Sequence, residues 1–138
     1  MGFGVATTQL MKLHGLYIGE TGLKGRGVFT SRSIKCDTLL ESSPVIVMSR
    51  KDRDLLDQTL LHDYIFEWQP EGADMCCMAL GWVPLYNHSY SSNCEYFMDY
   101  TDNTINVMAV RDIKSGEEIT INYNGTWNDE KKVWFDAK

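Results

Sequence analysis

The residue types able to do chemistry collect in a few short stretches. Residues 85–97, LYNHSYSSNCEYF, hold His88 between an amide and a hydroxyl, with Cys94 and Tyr96 close behind. Read alone, His88 has four roles open to it. It could be the middle of an Asn-x-Ser glycosylation acceptor, a metal ligand with Cys76, Cys77 and Cys94, the partner of a cysteine nucleophile, or a loop-holding histidine that bonds its neighbours. The cysteines lack ordinary zinc-ligand spacing and no local hydrolase signature surrounds them, so the structural role is the default. Upstream, LKGRGVF carries Gly25-x-Gly27, where glycines let backbone approach a ligand or adopt positive φ. It is no dinucleotide fingerprint, because a third glycine is missing and no helix clearly follows. Downstream, GEEITINY ends in Tyr123. Glu117 and Glu118 are adjacent, so on a strand they face opposite sides and form no obvious acid/base pair.

The elements that must position these residues are mostly strands. LYIG and GVFT read as short strands joined by the glycine-rich turn ETGLKGR, and TLLESSPVIVMS as two more, bent at Ser43-Pro44. From Ser49 to about Leu61 a capping Ser with Asp52 three residues on predicts a helix, with Leu55, Leu56 and Leu60 on one face. DYIFEW returns to strand, and Gln69–Gly72 reads as a turn. EYFMDY and TINVMAV flank Thr101-Asp102-Asn103 as a β-hairpin, and EITINY is a last strand before a polar, aromatic tail. An internal echo is visible: VFTSRSIKCDTLL from Val28 and VMAVRDIKSGEEI from Val107 share Val, Arg, Ile and Lys at the same offsets. Each reads as strand, tight turn, strand. Many short strands with few helices predict an irregular, mainly β domain.

The 138 residues suit one compact domain with a core. With 19 acidic and 13 basic residues the formal net charge is -6, which argues against nucleic acid as a primary partner. The imbalance lies in the C-terminal part: residues 54–138 hold fifteen Asp/Glu and five Lys/Arg, against four and eight in residues 1–53. Such a surface either keeps the protein soluble or suits a lysine- or arginine-rich peptide. No stretch approaches the ~20 apolar residues of a membrane span. The N-terminus lacks a signal peptide's basic start and apolar centre, so a soluble, intracellular protein with reduced, mostly buried cysteines is expected.

Taken in order, KGRGVF, LYNHSYSSNCEY and GEEITINYNG resemble the SET-domain protein lysine methyltransferases. The match is to that family's early G-x-G, its central N-H-S-x-x-P-N, and its late G-E-E-hydrophobic-T-x-x-Y. The resemblance runs from about Leu16 to Trp134, and in size the chain is similar to the short stand-alone members of bacteria and large viruses. It implies a single SET domain over 1–138, mainly β, of short curved strands with a C-terminal pseudoknot. A small helical insert would lie at about 49–75 and an aromatic tail at about 124–138.

The resemblance also implies roles. S-adenosylmethionine would be the cofactor, lined by Lys24, Gly25, Arg26 and Gly27 largely through backbone, by Asn87 and His88, by Tyr123, and by Trp134 over the adenine. Tyr123 would stand beside the transferring methyl as the catalytic residue, while Tyr64 and Tyr96 wall the lysine channel. A tyrosine at position 96 implies mono- or dimethylation. The substrate would be a lysine-containing protein or peptide, such as a histone. A homodimer that completes the substrate groove is a further arrangement the family suggests. Cytoplasmic or nuclear placement would follow the source. Ser92 stands where the family usually has proline, which implies a less rigid loop, and the tail lacks the zinc-binding cysteine cluster of many nuclear members, so no metal is expected. The competing readings are a catalytically silent SET-like module that binds a peptide or partner protein, and a metal- or thiol-dependent hydrolase.

Overall fold

A computed structural model describes residues 11–128 and residue 130. As expected, the fold is mainly β. One path of hydrogen-bonded strands runs β2-β3-β10-β8-β9-β4-β6-β5, with β1 on β4 and β7 on β10 at its sides. The strands are β1 (Met11–Lys12), β2 (Leu16–Glu20), β3 (Arg26–Thr30), β4 (Leu39–Met48), β5 (Phe66–Trp68), β6 (Met75–Ala79), β7 (Asn87–His88), β8 (Cys94–Asp99), β9 (Thr104–Ala109) and β10 (Glu118–Ile121).

The echo in the sequence is a structural exchange. β3 pairs antiparallel with β10, and β9 pairs antiparallel with β4, so the first strand of each unit pairs with the second strand of the other. Ile34 and Ile113, at the same offset in the two units, exchange both backbone hydrogen bonds at 2.8 and 2.7 Å. The matching turns also bond alike: Asp37 donates to Ala109 and Gly116 to Thr30. Asp37 and Gly116 are the equivalent positive-φ positions, at 71° and 91°. The exchange buries Val28, Leu40, Val107, Ile113 and Ile119, the centre of the core. Each such side chain contributes about 1.5–3 kcal/mol of burial. It also holds β10 against β3 by one edge, leaving the other edge for β7 and β8.

The two strands expected on either side of a bend at Ser43-Pro44 form one strand. Leu39–Met48 is one strand that changes partners there, pairing with β9 through Pro44 and with β6 from Val45. Proline lacks a donor, and a position where one ladder ends and the next begins tolerates it. β6, the apolar run MCCMA, was not anticipated. Buried on both faces at Cys76 and Cys77, it carries no alternation to reveal it.

The helix is shorter than its leucine spacing predicts. α1 (Arg50–Leu56) begins with the expected Ser49/Asp52 capping box. Thr59 then ends it: its hydroxyl donates to the Leu56 carbonyl at 2.7 Å and accepts from Leu61 N at 3.2 Å, which starts a separate 3-10 turn over Leu60–Asp63. No residue of α1 is buried, and Leu55 and Leu60 face solvent at 60% and 76% exposure. Arg50 and Arg53 tie the helix to Asp74 at the start of β6.

Candidate functional site

β7 runs parallel to β10 with Asn87 opposite Thr120 and His88 opposite Ile121. Cys94, at the start of β8, pairs in parallel with the same Ile121. The loop between them is locked to β10 by Asn93, which is 1% exposed. Its amide nitrogen donates to the Glu118 carbonyl at 2.8 Å, and its amide oxygen accepts from Thr120 N at 2.9 Å. Ser92 is fully buried, with its hydroxyl on the Cys94 carbonyl at 2.7 Å and its N–H on the Trp127 carbonyl at 3.1 Å. The loop is therefore tied to the C-terminal segment by bonds that a proline could not make.

This pairing delivers Tyr123 to His88. The Tyr123 backbone N–H donates to His88 Nδ1 at 3.0 Å, and the two rings lie 5.2 Å apart. Tyr90 and the imidazole meet at right angles, with ring centroids 4.3 Å apart. Lys24 Nζ caps the His88 carbonyl at 2.9 Å. Burial, and then the Lys24 ammonium, push the imidazole below its ordinary 6.5. A neutral ring accepting at Nδ1 carries its hydrogen on Nε2, so His88 is a positioned side chain rather than a cation.

The glycine turn closes the other side. Its two glycines serve different needs. Gly25 has φ +74° with open space around an added Cβ, so it is required for backbone conformation. Gly27 has an ordinary φ, but a Cβ there would lie 2.5 Å from Glu118 Oε2 and 2.7 Å from Asn87 Nδ2. A side chain there would displace the ends of the Glu118 and Asn87 side chains. Arg26 contributes its carbonyl, which accepts from Asn87 Nδ2 at 3.1 Å, while its side chain is exposed.

Aromatic hydroxyls make up the rest. Tyr123 donates its O–H to the Tyr86 carbonyl at 2.7 Å, and Tyr96 donates to the Tyr123 carbonyl at 2.9 Å. Phe66 meets Tyr96 edge-on at 5.3 Å. Burial pushes the Tyr96 phenol up to about 12, with Glu67 adding to it. Burial also raises Tyr123, and its neighbours Tyr64, Tyr96, Asp63 and Glu118 push the same way. Both therefore remain neutral donors at physiological pH. Tyr64 closes the Leu60–Asp63 turn and is 38% exposed, at the rim of this group.

Thus Lys24, Gly25, Arg26, Gly27, Asn87, His88, Tyr64, Tyr96 and Tyr123 form one neighbourhood, though they span a hundred positions of chain. Trp134 lies outside the described residues. Sequence reasoning missed Glu118, Tyr86 and Glu41. Glu41 is 3% exposed, takes the Tyr86 hydroxyl and the Trp82 N–H at 2.7 Å each, and so holds the segment leading to Asn87. A carboxylate inside the apolar run Leu39–Met48 was the signal for it; Tyr86 had none. All four thiols are raised above their ordinary value, Cys77 and Cys94 up to about 12 by burial, which disfavours the thiolate that the thiol reading needs. No three His, Cys, Asp or Glu among the described residues converge to hold a metal ion. No helix among the described residues is long and apolar enough to cross a membrane.

Comparison with known proteins gives the family. Residues 25–124 match the family model described as the SET domain. A Schizosaccharomyces pombe protein named as a histone-lysine N-methyltransferase, H3 lysine-37 specific, is 33% identical over 122 residues, covering 88% of this chain and 77% of that one. A crystal structure of a Plasmodium falciparum protein, described as a candidate histone methyltransferase, superposes with a TM-score of 0.62. It is 31% identical and covers 85% of this chain and 97% of its own.

Proposed function

Because the chain belongs to the SET-domain family, we propose that it is an S-adenosylmethionine-dependent protein lysine N-methyltransferase, acting on a lysine of a basic protein such as a histone. The observation that carries the reading is the convergence of the Gly25–Gly27 turn, Asn87-His88 and Tyr123 through β10. These residues suit the cofactor. Gly27 leaves space where a side chain would collide, and the Asn87 amide commits both its hydrogens inward, to Arg26 and Glu118. Lys24, Gly25, Arg26, Gly27, Asn87 and His88 would hold the cofactor, which supplies an electrophilic methyl on a positive sulfonium.

The chain's own task is to present a neutral amine. A lysine of pKa near 10.4 pays about 4 kcal/mol to lose its proton near pH 7.4. Tyr64, Phe66, Tyr96 and Tyr123 would strip water from the ammonium and so lower that cost, with the proton leaving to solvent. Tyr123 and the carbonyls it engages would then align the nitrogen lone pair as the N–C bond forms and the C–S bond breaks. Their rings also attract a cationic side chain on arrival. The Tyr96 hydroxyl, held at the Tyr123 carbonyl, would leave room for mono- or dimethylation. Titration calorimetry with S-adenosylmethionine, followed by transfer of its labelled methyl to histones and to a cell lysate, tests this. Binding with lysine methylation supports it. Binding without transfer to any protein would point to the silent module, and no binding would remove the reading.

A further inference from the structure

We infer that Glu118 is a positioning residue that sets the Asn87 side-chain amide so that its oxygen faces the ammonium of the cofactor's amino-acid portion. The inference rests on the cofactor reading above. Asn87 Nδ2 lies 2.7 Å from Glu118 Oε2 and 3.1 Å from the Arg26 carbonyl. An ionised carboxylate and a backbone carbonyl can only accept. Turning the amide over would set its oxygen against two acceptors and leave both of its hydrogens without those partners. The orientation is thus decided by the partners' chemistry, not by the shape of a side chain that looks the same either way.

With both hydrogens committed, the amide oxygen lies on the opposite edge of the group and accepts from none of the described residues. A ligand group meeting it must be a donor, and a cationic donor makes the stronger bond. Glu118 is well placed to enforce this. It starts β10, its carboxylate fills the space that Gly27 leaves open, and it is half-buried rather than freely solvated. Glu117, its neighbour in sequence, has other partners: its carboxylate takes the Lys114 N–H at 2.8 Å, the Arg111 guanidinium at 3.3 Å and the Asn93 amide nitrogen at 3.4 Å. Of the two adjacent carboxylates, Glu118 is the one bonded to Asn87.

The test compares two ligands by calorimetry in the full chain: S-adenosylhomocysteine, and its deaminated analogue in which hydrogen replaces the ammonium. Wild type binds the first at least about tenfold more tightly, the worth of a hydrogen bond to a charged group. Glu118→Ala loses that preference, weakening S-adenosylhomocysteine about tenfold while leaving the deaminated analogue within about twofold. Glu118→Gln, whose amide oxygen still accepts from Asn87 without carrying charge, keeps the preference within about threefold. Equal weakening of both ligands by Glu118→Ala would make the residue merely structural and overturn the inference. So would a Glu118→Gln variant as deficient as the alanine, because bulk charge would then be the cause. Failure of wild type to bind S-adenosylhomocysteine at all would instead remove the cofactor reading itself.

Discussion

The backbone N–H of Tyr123 donates to Nδ1 of His88 at 3.0 Å, across 35 positions of sequence. This bond gives the histidine its task. A histidine whose Nδ1 accepts from a backbone donor, and whose backbone carbonyl is capped by Lys24, orients the end of β10 and with it the tyrosine that follows. His88 resembles a chemical centre in the sequence and acts as a splice in the fold.

That splice is pH-sensitive. The folded His88 is held below 6.5, so in acid the unfolded chain takes up a proton that the folded chain refuses. The stabilisation is complete above pH 6.5 and is lost as pH falls below that value toward the folded pKa. Thermal unfolding between pH 7.5 and 5.5 should show the melting temperature of wild type dropping more than that of His88→Gln. Equal slopes would mean that other groups govern the acid limb.

Tyr123→Phe removes the hydroxyl that bonds the Tyr86 carbonyl while keeping the ring. Methyl transfer should fall by about 100-fold or more, the scale of losing a group that aligns reacting atoms. Cofactor affinity should change by less than about threefold. Radiolabel transfer read beside calorimetry separates the two, and full activity would take Tyr123 out of the mechanism.

Tyr96→Phe removes the hydroxyl anchored at the Tyr123 carbonyl and frees space around the amine. The product should shift from mono- and dimethyl-lysine toward the trimethyl form. Mass spectrometry of a methylated peptide decides it, and a wild-type enzyme already making trimethyl-lysine would refute the role given to Tyr96.

The two glycines should fail differently when replaced by alanine. Gly27→Ala pushes a methyl into Glu118 and Asn87 and should weaken cofactor binding at least about tenfold. Gly25→Ala meets no atom but strains a φ of +74°, costing about 1–2 kcal/mol of stability. Denaturant titration and calorimetry on both variants should show these opposite emphases.

Glu41→Ala leaves the buried Tyr86 hydroxyl and Trp82 N–H without their acceptor. Two orphaned donors cost about 1–3 kcal/mol each, so unfolding should shift by about 3 kcal/mol or more. Glu41→Gln, which keeps an acceptor, should lose less than half of that in urea titration.

Much of the plan is legible in the chain because it is local. Short strand-like runs joined by turn residues marked the β2–β3 and β8–β9 hairpins, Ser49 and Asp52 marked the start of α1, and the echo of Val28 and Val107 marked two like units. Where the reading slipped, a side-chain bond or a change of strand partner outweighed the pattern. Thr59 cut the helix short, and Pro44 sat at a junction between ladders instead of a bend between two strands.

The sequence by itself determined the residue types and their order: the glycine turn, Asn87-His88, Tyr96, Tyr123, and through them the family. Only the tertiary structure decided which of these touch. Parallel pairing of a two-residue strand with β10 leaves no periodic trace in either segment, because its hydrogen bonds join residues more than thirty positions apart. The same long-range packing sorted Glu118 from Glu117, recruited Glu41 and Tyr86, and turned His88 from a candidate catalyst into the residue that holds Tyr123.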